Sequence, residues 1–184
     1  FLDDEECLRL IQIIRQNLRA STTTNEEGDF ASFRTSKSCD LALLNDPFVN
    51  DVQRRICAAI GIDISYAEGM QAQWYDAGEE FRAHTDFFAP GTAEYERFAA
   101  EKGQRTWTFM IYLNRSRAGG ATRFTKVNHE FHPEPGRALV WNNLYENGGP
   151  NPDSEHWGQP VEAGFKVIIT QWFRERGQGA MFRR

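Results

Sequence analysis

The sequence predicts a mainly β domain with helices flanking its strands. At 184 residues the chain has the usual length of one domain and is long enough to bury a substantial core. Apolar residues recur at helical spacing twice within residues 1–66, whereas from Met70 onward they follow the two-residue alternation of strands. We therefore predict a single domain over residues 1–184, with mainly helical support in 1–66 and a β-rich part in 67–176.

Both predicted helices begin with a cap. Asp3 and Glu6 have the spacing of a capping box, and the apolar residues after them predict a helix from about Asp4 to Arg19. Asp46-Pro47 combines a capping side chain with a proline in the first turn, and Gly61 ends the second helix. We expect the apolar face of each helix to pack on a sheet.

The strands are predicted from short segments rich in β-branched and aromatic residues and bounded by glycine, proline or asparagine. A turn at Asp76-Ala77-Gly78 joins the first two strands into a hairpin. Phe87 to Gln104, which follows this hairpin, is either a lid over a substrate or a passive surface insertion. The predicted strands are Met70 to Tyr75, Phe81 to Asp86, Thr106 to Leu113, Ala138 to Asn142 and Phe165 to Phe173.

The composition of the chain disfavours nucleic acid and membranes as binding partners. A net charge of -5 disfavours sequence-independent binding to nucleic acid, because that affinity comes largely from Lys and Arg. No apolar run approaches the length that crosses a bilayer, so we expect no membrane role. Cys7, Cys39 and Cys57 are an odd number without Cys-x-x-Cys spacing, which favours reduced core residues and a cytoplasmic location.

His84 and Asp86 lie two residues apart in a predicted strand, so their side chains point to one face. An imidazole and a carboxylate at one point are two of the three ligands of the two-histidine, one-carboxylate site that binds non-haem Fe(II). A barrel brings distant strands together, and His156, which follows a polar Gly/Pro loop, is the candidate third ligand.

His129 and His132 are rival candidates for a metal site. Their spacing suits a small zinc site, but Pro133 interrupts regular structure and no cysteine or third histidine lies nearby. We expect these two histidines to lie on the surface.

Lys166 begins an alternation in which it shares one strand face with Ile168, Thr170 and Trp172. Burying an ammonium on such a face is costly unless an anion pairs with it. The alternative is a lysine at the end of a strand, whose long side chain reaches water. The pattern alone leaves both readings open.

Several segments stand in a fixed order and spacing along the chain. They are Glu68-Gly69-x-Gln71-x-x-x-Tyr75-x-x-Gly78, His84-x-Asp86, Thr106 to Asn114, Gly119-Gly120-Ala121-Thr122-x-Phe124, Pro135-Gly136-Arg137-Ala138, and His156-x-Gly158-x-Pro160-Val161-x-x-Gly164-x-Lys166. In this order and spacing they resemble the prolyl 4-hydroxylase type of 2-oxoglutarate- and Fe(II)-dependent dioxygenase. Arg34-Thr35-Ser36 also resembles an upstream motif of that family, and the similarity covers most of the chain from about Phe30 to Phe173.

The resemblance implies a double-stranded β-helix, or jelly roll, with flanking helices, and it makes residues 67–176 the catalytic part. It implies that His84, Asp86 and His156 hold Fe(II). Fe(II), 2-oxoglutarate and O₂ are the implied cofactor and cosubstrates, with ascorbate as reductant.

The resemblance also assigns the cosubstrate pocket. Lys166, helped by the Thr122 hydroxyl, would bind the distal carboxylate of 2-oxoglutarate. Tyr75 would hydrogen-bond the cosubstrate, and Trp172 would line the same pocket. Lys166 then counts with the three metal ligands as a catalytic residue, and a cosubstrate anion would answer the cost of burying it.

The implied activity is hydroxylation of prolyl residues in a peptide or protein, coupled to decarboxylation of 2-oxoglutarate to succinate and CO₂. Hydroxylation of a free amino acid or another small molecule on the same scaffold is an alternative. A non-catalytic metal-binding or sensor module is a second one. Trp157 and Ala121 depart from the family pattern, which leaves the substrate open.

Overall fold

Antiparallel strands dominate the fold, which was obtained as a computed structural model that describes residues 1–21 and 35–182. The predicted mainly β class with flanking helices is confirmed. The helices are α1 (Asp4–Gln16), α2 (Pro47–Ile60) and α3 (Ala93–Phe98). The strands are β1 (Arg19–Ala20), β2 (Lys37–Asp40), β3 (Gln71–Asp76), β4 (Phe81–His84), β5 (Arg105–Tyr112), β6 (Ala118–Gly119), β7 (Thr122–Phe124), β8 (His129–Phe131), β9 (Ala138–Asn142), β10 (His156–Gly158), β11 (Val161–Ala163) and β12 (Phe165–Arg174).

Helix α1 begins as predicted but ends earlier. The Asp3 carboxylate accepts from the Glu6 amide at 2.8 Å and the Glu6 carboxylate accepts from the Asp3 amide at 3.1 Å, which completes the capping box. The helix ends at Gln16 rather than Arg19, because Arg19 enters β1 and pairs with Asp40 of β2.

Helix α2 has the predicted bounds. The Asp46 carboxylate caps its first turn, and Gly61 ends it with a left-handed φ of 75° that a glycine adopts without steric cost. Within residues 1–21 and 35–182, no helix combines the length and apolar character that a bilayer crossing needs.

Two antiparallel sheets form the body of the molecule. The larger has the strand order β1-β2-β3-β12-β5-β9, the smaller has β4-β10-β7-β8, and β6 pairs with β11. Most of these neighbours are distant in sequence. Lys166 of β12 lies opposite Tyr75 of β3, and His156 of β10 lies opposite His84 of β4. Chain closure therefore brings the predicted site residues together, as a barrel-type site requires.

The larger sheet separates two cores. On one face, Val167, Ile169 and Phe173 are fully buried against apolar residues of α1 and α2. On the other face, Ile168 belongs to a second cluster that includes Phe124 of the smaller sheet. The helices thus support the back of the large sheet, as predicted, and leave its other face to the space between the sheets.

The structure differs from the prediction at Asp86 and describes only part of the Arg34-Thr35-Ser36 motif. Strand β4 ends at His84, so Asp86 lies in a bend after the strand and not on it. In the Arg34-Thr35-Ser36 motif, Arg34 lies outside the described residues, whereas Ser36 is buried and lies within hydrogen-bonding distance of Ser21.

The insertion predicted as a lid or surface element contains α3, and its two ends are joined by one side chain. The buried Gln104 amide accepts from the Phe88 backbone N–H and donates to the Phe88 carbonyl, both at 2.7 Å. Arg174 further binds the Gly103 carbonyl. The base of the insertion is therefore fixed, and a lid function stays a prediction.

We expect Ile169→Ala to lower the free energy of unfolding by about 2–5 kcal/mol, because it empties a fully buried position between the large sheet and the helices. Ile64→Ala is the matched control, since Ile64 is 42 % exposed. Urea unfolding of both variants checks this. Equal losses in the two variants would contradict the position of the core.

Candidate metal and cosubstrate site

The three predicted metal ligands converge. One ligand atom from each of His84, Asp86 and His156 lies within 4.8 Å of the others. The antiparallel pairing of β4 with β10 sets the two histidines opposite each other, and the bend after β4 turns Asp86 toward both. Among the described residues, these three form the one such group of His, Cys, Asp or Glu side chains.

Backbone carbonyls fix which nitrogen of each imidazole carries the proton. The Nδ1 atom of His84 lies 2.7 Å from the Arg82 carbonyl, and that of His156 lies 2.9 Å from the Ser154 carbonyl. Because a carbonyl oxygen only accepts, a neutral ring must donate from Nδ1. Nε2 is then the unprotonated nitrogen of each histidine, which is the state that a metal ligand needs.

Asp86 presents one carboxylate oxygen to the histidines and anchors the other. Its Oδ1 lies 4.0 Å from the His84 Nε2, while its Oδ2 accepts from the Thr108 hydroxyl at 2.7 Å. Burial works to raise the pKa of this carboxyl, but the positive charge of His156 and His84 when their rings are protonated, together with Arg105 and the Thr108 hydrogen bond, outweighs burial and holds the pKa below its usual value. An ionised carboxylate is therefore favoured in the site.

Aromatic rings enclose the two imidazoles. Phe81 stacks on His84 with a centroid distance of 3.6 Å. Trp141 and Phe124 lie against His156 at 4.8 and 5.7 Å. These contacts limit rotation of the rings and reduce the water around the ligand atoms.

Lys166 is buried, so the alternative of a lysine reaching water at a strand end is wrong. Its side chain is 1 % exposed, and its Nζ donates to the Gly120 carbonyl at 2.9 Å and lies 4.4 Å from the centre of the Tyr75 ring. Desolvation lowers the pKa of this amine to about 7. Gly158 lies close to this amine and places no side chain against it, since a Cβ at position 158 would lie 3.7 Å from the Lys166 Nζ.

Thr122 lines the same cavity as the Lys166 amine, and its hydroxyl is a hydrogen-bond partner of Tyr112. The Tyr112 hydroxyl lies 2.6 Å from the Thr122 hydroxyl and 3.1 Å from the Phe131 carbonyl. Burial raises the pKa of Tyr112, which keeps the phenol protonated. When Tyr112 donates to Thr122, the hydrogen of the Thr122 hydroxyl is available to an anion.

All the predicted site residues line one cavity. The alternation predicted for β3 and β12 is observed, since Gln73 and Thr170 face the same space and lie 3.1 Å apart. Sequence reasoning missed Tyr112 and Trp141, although strand alternation on β5 and β9 indicates which side chains share a face, and it missed Thr108, which gives no local signal. The predicted residues that line the cavity are Tyr75, His84, Asp86, Thr122, His156, Lys166 and Trp172.

The rival histidines lie away from this cavity. His129 and His132 are exposed, and neither belongs to a group of three ligand-type side chains among the described residues. The expectation that they lie on the surface is confirmed.

Comparison with known proteins agrees with this geometry. The family model described as "2OG-Fe(II) oxygenase superfamily" matches residues 70–174, which is more than half of the chain. The chain belongs to this superfamily. The match includes every residue predicted for the metal and cosubstrate sites, and the predicted use of Fe(II) and 2-oxoglutarate (2OG) is confirmed for an oxygenase of this family.

Curated proteins similar to this oxygenase include prolyl 4-hydroxylase alpha subunits. This oxygenase is 34 % identical over 181 residues to mouse prolyl 4-hydroxylase subunit alpha-3 and 32 % identical over 180 residues to human subunit alpha-1. These alignments cover 97 % and 96 % of this chain but only 33 % and 34 % of the relatives. The chain thus spans about a third of the length of the curated relatives it matches.

Solved structures share the fold of this oxygenase. The viral collagen prolyl hydroxylase of Paramecium Bursaria Chlorella virus-1, solved with 2OG, has a TM-score of 0.73 at 24 % identity and covers 94 % of this chain and 91 % of its own. A Pseudomonas putida prolyl-4-hydroxylase has a TM-score of 0.63 at 19 % identity, covering 96 % and 90 %. With its two antiparallel sheets, the predicted jelly roll is confirmed.

We expect NMR to find the Nδ1–H tautomer in both His84 and His156 of the metal-free oxygenase at a pH where the rings are neutral. The reason is that each Nδ1 faces a carbonyl that can only accept. Long-range ¹H–¹⁵N spectra of labelled protein distinguish the tautomers. Exposed His132 serves as the control, and an Nε2–H tautomer at either site residue would contradict the assignment.

Proposed function

We propose that this oxygenase hydroxylates prolyl residues of a peptide or protein and converts 2OG to succinate and CO₂ in the same reaction. The observation that carries the proposal is one cavity that holds two imidazoles, a carboxylate and a buried amine. The chain that forms this cavity is about one third identical to prolyl 4-hydroxylase alpha subunits.

His84, Asp86 and His156 are the proposed Fe(II) ligands. Their donor set of two unprotonated imidazole nitrogens and one ionised carboxylate is the two-histidine, one-carboxylate set that suits Fe(II) and leaves coordination positions open. The fit rests on the carbonyl partners of both Nδ1 atoms and on the Thr108 hydrogen bond to Asp86. When both rings are neutral, these partners place the unprotonated nitrogen of each ring at Nε2, where it can bind a metal.

Lys166 and Thr122 are the proposed partners of the distal carboxylate of 2OG. Among the described residues, the Gly120 carbonyl is the one hydrogen-bond acceptor of the Lys166 amine, so the charged amine retains donors for an anion, and Thr122 can add a hydroxyl donor. Tyr75 and Trp172 line the same cavity. We propose that Tyr75 hydrogen-bonds the cosubstrate and that Trp172 packs against it.

Fe(II) would supply the oxidative chemistry, in which one atom of O₂ enters succinate as 2OG loses CO₂ and the other enters a substrate C–H bond. The protein holds the dicarboxylate between the ligand group and Lys166, and so fixes which carboxylate faces the metal. The aromatic rings around His84 and His156 reduce access of water. Positioning and exclusion of water are the contributions that a protein makes to such a reaction.

A prolyl peptide is the proposed substrate because of the relatives. Several are prolyl 4-hydroxylases, and one structural neighbour is a Trichoplax adhaerens prolyl hydroxylase in complex with a hypoxia inducible factor peptide. Hydroxylation of a free amino acid or another small molecule is the second candidate, because Trp157, which departs from the pattern of the resemblance, directly follows the proposed ligand His156. Trp157 donates to Glu80 at 2.7 Å, which joins β10 to the residue before β4.

We further propose a cytoplasmic location. Cys7, Cys39 and Cys57 are all buried, and none of them is in a disulfide among the described residues, as expected for reduced core cysteines.

We expect purified protein with Fe(II), ascorbate and 2OG to make succinate and to add one oxygen atom to a proline-containing peptide. Mass spectrometry of a mixed library of peptides and free amino acids, with fragmentation to locate the oxygen, identifies the substrate class. Asp86→Asn, which weakens the ligand set, is the inactive control. An added oxygen on free amino acids alone would favour the second candidate, and no succinate under any condition would overturn the proposal.

We expect 2OG binding to take up a proton above about pH 7, because the dicarboxylate favours the charged form of an amine whose pKa is about 7 in the empty cavity. The affinity for 2OG should therefore fall as the pH rises from about 7 toward 10. Calorimetric titrations at about pH 6.5 and 8.5, in buffers of different ionisation enthalpy, measure the proton uptake.

Lys166→Arg is the matched control for this titration, because a guanidinium stays charged throughout this range. Its binding should show no proton uptake from this position. Lys166→Met removes the cation and should lose most of the affinity at either pH. Wild-type binding without proton uptake at the higher pH would contradict the assigned role of Lys166.

A further inference from the structure

A chain of buried hydrogen bonds leads away from the Asp86 carboxylate. The Thr108 hydroxyl lies 2.7 Å from the Asp86 Oδ2, and the Asn143 Nδ2 lies 2.8 Å from the Thr108 hydroxyl. Thr108 and Asn143 are both fully buried. Neither residue lines the cavity, so neither is placed to touch a substrate or cosubstrate.

The direction of each hydrogen bond in this chain is fixed by chemistry. An ionised carboxylate only accepts, so Thr108 must donate its one hydrogen to Asp86. The Thr108 oxygen can then only accept, which requires the NH₂ group of Asn143 and not its carbonyl. The Asn143 amide therefore has one allowed orientation.

The hydrogen bonding of the Asn143 side chain is directed to Thr108. Thr108 is the one hydrogen-bond partner of this side chain among the described residues, where the Asn143 Oδ1 has none. Through Thr108, the Asn143 side chain therefore acts on Asp86.

The backbone of Asn143 leads toward a second proposed ligand. The backbone carbonyl of Asn143 accepts from the backbone N–H of Asn151 at 2.9 Å, and the backbone carbonyl of Asn151 accepts from the Ser154 hydroxyl at 2.7 Å. The Ser154 carbonyl in turn faces the Nδ1 of His156. One connected path of hydrogen bonds thus runs from the carboxylate to the imidazole through Asn143.

We propose that Thr108 and Asn143 are positioning residues that set Asp86 and His156 relative to each other for metal binding. Thr108 occupies the Asp86 Oδ2, so that Oδ1 alone faces the two histidines. Asn143 holds Thr108 in its donating orientation and anchors the start of the loop that ends at His156. This inference rests on the proposed iron site.

The test is the affinity for Mn(II), measured without 2OG, in wild type, Thr108→Val, Thr108→Ser and Asn143→Ala. Partners of metal ligands typically contribute 10- to 100-fold in affinity. We expect Thr108→Val and Asn143→Ala each to weaken Mn(II) binding by about 10-fold or more. Thr108→Ser keeps the hydroxyl and should restore an affinity near that of wild type.

Thr106→Val is the matched control for loss of a buried hydroxyl. Thr106 lies two residues earlier on β5, is 9 % exposed, and donates to the Phe173 carbonyl at 3.2 Å instead of to a proposed ligand. Thermal unfolding of the metal-free proteins should show similar losses for Thr106→Val and Thr108→Val. Only Thr108→Val should lose metal affinity, which separates positioning of a ligand from general stability.

The outcomes separate this inference from the proposed function. Wild type that binds Mn(II), together with an unchanged affinity in a folded Thr108→Val or in Asn143→Ala, would overturn the positioning role alone. Wild type that binds neither Mn(II) nor Fe(II) would overturn the iron site and the positioning role with it. Equal losses of affinity in Thr106→Val and Thr108→Val would also overturn the positioning role.

Discussion

A buried amine is the constraint on which the rest of the site depends. The pKa of Lys166 falls from the ordinary value of 10.5 to about 7, which at about 1.4 kcal/mol per unit corresponds to roughly 5 kcal/mol against charging the amine in the empty cavity. A dicarboxylate that reaches the amine offsets this cost with an ion pair inside a cavity of low polarity. Under the proposed role of Lys166, an anion that binds this amine would gain free energy by relieving the cost of burying its charge.

The two-sheet architecture makes this arrangement possible. Lys166 belongs to the large sheet, whereas His84 and His156 belong to the small one, so the space between the sheets separates the proposed anion site from the proposed metal site. Helices α1 and α2 cover the far face of the large sheet and leave the near face to the cavity. A ligand with two charged ends can then bridge the sheets, and the separation of the two sites selects its length.

The sequence correctly predicted which side chains face the cavity where residues alternate regularly along one strand. The alternation of Lys166 with Trp172, and of Gln73 with Tyr75, correctly predicted which side chains face the cavity, because side chains of a strand alternate between faces. The alternation could not settle whether Lys166 is buried. That depends on β3 and β5, the strands that flank β12 and are distant in sequence.

Sequence reasoning failed where the structure departs from regular strands or depends on distant pairs. Asp86 was assigned to a strand, although β4 ends two residues earlier and a bend turns the carboxylate toward the histidines. Thr108 and Asn143 gave no local signal, because a threonine in a strand and an asparagine before a loop are ordinary there. Their importance arises from the pairing of β5 with β9, which places position 108 opposite Trp141 and next to Asn143.

The most direct measurement is anomalous diffraction from crystals of the protein grown with Mn(II) and 2OG. We expect one manganese peak bounded by the Nε2 atoms of His84 and His156 and the Oδ1 of Asp86, with the distal carboxylate of 2OG against the Lys166 Nζ. A peak outside this group of ligands, or a 2OG molecule whose distal carboxylate lies away from Lys166, would contradict the account.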